Sequence, residues 1–111
     1  MELAISGRHV QVTEAMERHV QGRVDRLPRL DDQITGIRVM LAKDSRGQRV
    51  EVVAKCHKTV LVANATSHDM YASIDESFEK LEHQIARCHD KLVRGRAREA
   101  HKAAESAKKP Q

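Results

Sequence analysis

Two successive stretches of this chain alternate in side-chain character and a third is β-branched and apolar, while two others repeat apolar residues every three to four positions. Ile37, Val39 and Leu41 alternate with Arg38, Met40 and Ala42. Val50, Val52, Ala54 and Cys56 alternate again, and Val60 to Thr66 is β-branched and apolar. A period of two puts successive side chains on opposite faces of a strand, so these read as strands with one covered face. Asp44-Ser45-Arg46-Gly47 is turn chemistry, and His57-Lys58 is a short connection, so the three strands form an antiparallel meander. Glu2 to Gly7 alternates in the same way and predicts a fourth strand. Between it and the meander, Met16, Val20, Val24 and Leu27 recur at helical spacing. Thr13 is a good N-cap and Pro28 a stop, which predicts a helix over 13–27. A second helix is predicted from Asp69, with Ile74, Phe78, Leu81, Ile85, Cys88 and Leu92 as its stripe.

The order β-α-β-β-β-α follows. A helical crossover makes the first two strands parallel, and strands with one covered face place both helices on the same side. The expectation is an α+β two-layer sandwich: two helices on one face of a four-stranded mixed sheet. A chain of 111 residues supports one such core. Residues 1–95 are expected to form the domain. Residues 96–111 keep helix formers without an apolar stripe and are expected to be a basic, flexible tail. No apolar run approaches the ~20 residues of a membrane span, and the N-terminus lacks the basic and apolar regions of a signal peptide. A cytoplasmic protein with two reduced thiols is the expectation.

Charge is unevenly placed. Residues 1–79 carry 11 Lys/Arg against 12 Asp/Glu, and residues 80–111 carry 9 against 4, so the excess of +4 lies in the last third. Projected at about 100° per residue, the second helix sorts its charges. Lys80, Gln84, Arg87, Lys91, Arg94 and Arg98 fall to one side of the apolar stripe. Asp75, Glu79, Glu82 and Asp90 fall to the other, and Glu76 intrudes on the basic side. A helix that is merely solvated interleaves signs to form i,i+4 pairs. Segregation suits a lattice of anions, with nucleic acid before an anionic membrane. The first helix repeats the pattern with His19, Arg23 and Arg26, so the two basic edges are expected to make a cationic groove between or across the helices. Aromatic residues are 2% of the chain, too few to stack bases, which favours phosphate contact with folded RNA.

No catalytic constellation is expected. Cys56-His57 and Cys88-His89 hold metal-ligating types, but neighbours on a strand point to opposite faces and Cys88 belongs to the apolar stripe. The expectation is two buried thiols, two surface imidazoles, no metal site and no cofactor. The five glycines are scattered and form no phosphate loop.

Ile5-Ser6-Gly7-Arg8-His9-Val10 with Val12-Thr13-Glu14-Ala15-Met16 resembles the opening of the ribosome hibernation-promoting factors, also called ribosome-associated inhibitors or sigma-factor modulation proteins. Asp69-Met70-Tyr71-Ala72-Ser73-Ile74-Asp75 and Lys80-Leu81-Glu82-His83-Gln84-Ile85 resemble their second helix. The resemblance covers residues 2–95. It implies the same sandwich, similar to a double-stranded-RNA-binding domain, and a non-enzymatic stress or stationary-phase factor. Such a factor sits in the mRNA/tRNA channel of the small ribosomal subunit, at the A and P sites, and blocks translation.

By position, the resemblance implies rRNA contacts from Arg23 and Arg26 and from Lys80, His83, Gln84, Arg87, Lys91 and Arg94. His83 stands where Arg is common, and Pro28 is a second departure. Long members add a C-terminal domain that pairs ribosomes. This chain is expected to lack it and to promote ribosome dimers with a second factor, being itself a monomer when free. The alternatives are a general regulator that binds structured RNA and a protein-interaction modulator of transcription.

Overall fold

The computed structural model describes the backbone of residues 1–99 and the side chains of residues 1–93. The elements follow in the order β1 (Glu2–Arg8), α1 (Glu14–Val24), a 3-10 turn (Leu27–Arg29), β2 (Ile34–Asp44), β3 (Gly47–Cys56), β4 (Thr59–Ser67) and α2 (Met70–Glu99). The sheet runs β1-β2-β3-β4. β1 is parallel to β2, with Leu3 opposite Ile37 and Ile5 opposite Val39. The other two pairs are antiparallel. The fold is the α+β sandwich that the periodicity implies.

The local chemistry explains where elements start and stop. Thr13 Oγ1 accepts the Met16 amide at 3.1 Å, and the Thr13 carbonyl accepts the Glu17 amide at 3.0 Å. α1 ends at Val24, three residues short of the expected end. Pro28 has no N–H and its ring would strike the Val24 carbonyl, so the chain tightens into the 3-10 turn, with Leu30 N donating to Leu27 O at 2.9 Å. Ser45-Arg46 closes the first hairpin, where Asp44 Oδ1 accepts the Arg46 amide at 2.8 Å. Gly47 follows at φ 135°, and a Cβ there would lie 2.7 Å from the Ser67 carbonyl oxygen. Only glycine meets both conditions. Asp69 caps α2 through its carbonyl, which accepts Ser73 N at 3.0 Å, and its Oδ1, 3.3 Å from Tyr71 N.

Alternation along the strands now has its physical outcome. Ile37, Val39 and Leu41 of β2 and Val50, Val52, Ala54 and Cys56 of β3 are buried under the helices. Val20 and Val24 of α1, Leu27 and Ile74, Phe78, Leu81 and Ile85 of α2 fill the space above them. Each large apolar side chain fully removed from water contributes about 1.5–3 kcal/mol. α2 runs through Gly95 to Glu99. The rest of the expected tail, residues 100–111, lies outside the described residues.

Candidate nucleic-acid interface

The two flanks of α2 meet different surroundings. On the basic flank, Lys80 Nζ donates to the Asn64 carbonyl at 3.0 Å and Gln84 Nε2 donates to the Val62 carbonyl at 2.8 Å. Both carbonyls belong to β4, an edge strand whose outer polar groups meet no neighbouring strand among the described residues. Lys80 and Gln84 thus blunt that edge, a structural role beside any contact with an anion. Arg87 and Lys91 continue the row at helical spacing, are exposed, and make no ion pair with the described residues. His83 is exposed on the crest of the helix, and Arg26 is exposed beyond the end of α1. Arg94 lies on the helical backbone, outside the residues whose side chains are described.

The acidic flank of α2 meets α1. Arg23 Nη1 donates to Asp75 Oδ1 at 3.0 Å, and Nη2 donates to Glu82 Oε2 at 3.0 Å. His19 Nε2 lies 2.8 Å from the same Asp75 oxygen, and its ring meets Tyr71 edge-on at 5.2 Å. The Arg23 side chain is only 11% exposed. Burial opposes its charge, but the hydrogen bonds and charges of Glu82 and Asp75 outweigh that and raise its pKa. In the free chain Arg23 is engaged in the helix–helix seam, and the groove between the helices is neutralised there. Opposite charges on facing flanks attract, so the cationic edge that remains lies on the far side of α2, along β4.

The open face of the sheet adds cations that the helical projection missed. Arg8, Arg38, Arg49 and Lys55 point away from the helices and are exposed, against Glu2 and half-buried Glu51. Their signal was the parity of the strands: each occupies the alternate position to a core residue.

A second cluster lies at the other end of α2. Asp31, three residues after Pro28, is buried with its side chain 1% exposed. Its Oδ1 accepts the Gln33 amide at 2.8 Å. Its Oδ2 lies 2.8 Å from His57 Nε2 and 2.9 Å from His89 Nδ1. Burial works to raise the Asp31 pKa, but the Gln33 amide and the two imidazoles reverse this and hold it at about 2. The ligating atoms of Asp31, Cys56 and His57 all lie within 4.8 Å of one another. The expectation that Cys56 and His57 face apart therefore fails. His57 is not a strand residue: it opens the two-residue loop between Cys56 and Thr59 with φ 59°, and this left-handed backbone turns its ring back toward Asp31. Cys, His and Asp together are also the parts of a nucleophilic triad. Here the thiol is fully buried, and burial, then the Asp31 charge and Cys88, push it up to about 11, so it is no nucleophile.

Residues 3–93 match the model of a family described as sigma 54 modulation protein / S30EA ribosomal protein. The ribosome hibernation promoting factor of Azotobacter vinelandii is 33% identical over 93 residues, covering 84% of this chain and 87% of that one. The protein of the same name from Pseudomonas putida is 34% identical over 100 residues, covering 87% of this chain and 98% of that one. A solved ribosomal subunit interface protein from Coxiella burnetii superimposes with a TM-score of 0.76 at 23% identity, over 81% of this chain and 99% of that one, which shows the shared fold.

Proposed function

The chain belongs to the sigma 54 modulation protein / S30EA ribosomal protein family, and from that we propose that it is a ribosome hibernation factor. In this reading it binds the small ribosomal subunit in the mRNA/tRNA channel at the A and P sites, blocks translation, and keeps ribosomes inactive under stress or in stationary phase in the cytoplasm. It acts by binding and not as an enzyme. In the same reading it promotes ribosome dimers together with a second factor.

The observation that carries the proposal is the sorting of charge across α2. With Asp75 and Glu82 turned to Arg23, the outer edge offers Lys80, Arg87 and Lys91, three cations spread over three turns. A stiff row of cations backed by a packed sheet matches a phosphate backbone without reading bases. Arg26, His83, Gln84 and Arg94 extend the proposed contact to either side.

The test is co-sedimentation with ribosomes across a salt series, with a free RNA duplex as a second ligand. Replacing Lys80, Arg87 and Lys91 together by Glu should abolish ribosome binding while the circular dichroism stays that of the folded protein. Each lost phosphate contact lowers the salt slope by about one unit. Initiator tRNA with mRNA should compete with the protein for the ribosome. Undiminished binding of the folded triple variant overturns the proposal, and equal affinity for the free duplex redirects it to general RNA binding.

A further inference from the structure

We propose that Asp31, Cys56, His57 and His89 form a binding site for one divalent transition-metal ion of the zinc type. The site is independent of the ribosome contact. Four separate parts of the chain converge on it: the segment before β2, the end of β3, the loop between β3 and β4, and α2. They bring one carboxylate oxygen, one sulfur and one imidazole nitrogen within 4.8 Å of one another and place His89 Nδ1 2.9 Å from the same carboxylate; carboxylate, sulfur and imidazole are the donor types that zinc takes in four-coordinate sites. Sulfur and imidazole exclude calcium and magnesium, which take oxygen donors.

The geometry is that of a cradle held by its own hydrogen bonds. Asp31 Oδ2 sits 2.8 Å from His57 Nε2 and 2.9 Å from His89 Nδ1. Ligands at about 2.0–2.3 Å from a tetrahedral ion lie about 3.3–3.7 Å apart, so each imidazole needs to draw back from the carboxylate by about half an ångström, and His89, which does not lie within 4.8 Å of all three other donors, has to swing inward as the fourth ligand. The Cys56 sulfur lies within 4.8 Å of both the Asp31 oxygen and the His57 nitrogen, so it closes the third side. Metal, carboxylate and thiolate sum to zero charge, whereas the buried Asp31 alone leaves one negative charge in the interior. The thiol proton and the hydrogen-bonding imidazole protons leave or change nitrogen as the ion enters.

Supporting groups are in place as well. The Gln33 amide donates to Asp31 Oδ1 and orients the carboxylate. Cys88 stands beside the Cys56 thiol and helps to raise its pKa. Such outer partners fix ligand orientation in known metal sites. A cleft of about 230 Å³ lined by Asp31, Gln33, His57 and His89 gives an ion its way in.

The probe is Co²⁺, titrated into the reduced, metal-stripped full chain and then displaced by Zn²⁺. The expected result is one-to-one saturation, strong visible bands of a four-coordinate ion, and a near-ultraviolet band from thiolate to cobalt. Zn²⁺ should raise the melting temperature of the wild type. Cys56→Ser should remove the charge-transfer band, and Cys88→Ser should keep it. His57→Asn tolerates the left-handed backbone, and His89 is half exposed on its helix, so His57→Asn and His89→Gln should stay folded. Each should weaken binding by about tenfold or more. The proposal is overturned if folded wild type shows no saturable binding, if the histidine variants bind as tightly as wild type, or if the band depends on Cys88 and not Cys56.

Discussion

At the scale of single residues, Asp31 is the position whose chemistry depends most on its surroundings. A carboxylate in the interior is costly unless it is fully hydrogen-bonded, and here one backbone amide and two imidazoles meet it. Its pKa falls from 3.8 to about 2 on folding. A depressed folded pKa means the unfolded chain binds the proton more tightly. The stabilisation is therefore complete above the unfolded value and disappears as pH falls through the folded one. A shift of this size corresponds to about 2 kcal/mol. Urea midpoints of the metal-free protein should drop between about pH 4 and pH 2 in wild type, and the drop should shrink in Asp31→Asn, which is less stable at neutral pH. Equal acid sensitivity of the two proteins contradicts this account of Asp31.

At the scale of elements, the two helices are joined by charge as well as by apolar packing. Arg23 bridges Asp75 and Glu82 across the seam. Arg23→Met keeps the stem and removes the cation, leaving two carboxylates facing each other. Because Asp75 is 42% exposed, water compensates part of the loss. The expected cost is about 1–3 kcal/mol, below that of a fully buried pair. Ribosome affinity per folded molecule should hold, since Arg23 is not presented. The opposite split is expected for Arg87→Glu with Lys91→Glu, which should leave the thermal midpoint near that of wild type and weaken ribosome binding. Chemical denaturation paired with co-sedimentation separates the two cases. Loss of binding in folded Arg23→Met means the seam, or Arg23 itself, contributes to the interface.

At the scale of the whole molecule, charge is polarised along the chain. The last third holds the entire excess, 9 Lys/Arg against 4 Asp/Glu in residues 80–111. Residues 100–111 carry Lys102, Lys108 and Lys109 against Glu105. Removing them takes two net positive charges from a segment with no apolar stripe. Ribosome binding should weaken at low salt and converge with wild type as salt rises. The melting temperature should not change, and inhibition of a cell-free translation extract should persist at saturating protein. A fall of several degrees in the melting temperature shows instead that this segment packs on the domain.

What the sequence by itself determined is whatever depends on near neighbours. Strand alternation, helical stripes, the Thr13 cap and the Pro28 stop follow from interactions a few residues long, and they suffice for the β-α-β-β-β-α order. The flank of α2 that carries Lys80, Arg87 and Lys91 was legible for the same reason, since an angle around a helix needs no tertiary knowledge. The tertiary structure alone decided what faces each flank. Arg23 meets Asp75 and Glu82 across 52 and 59 residues of chain, and Asp31 meets His57 and His89 across 26 and 58. Helical projection assigned Arg23 to a basic edge correctly but could not show that an acidic edge lies against it. Strand parity misplaced His57 because one left-handed residue ends the alternation. Periodicity records which way a side chain points from its own backbone, and only the packing of distant segments determines what it points at.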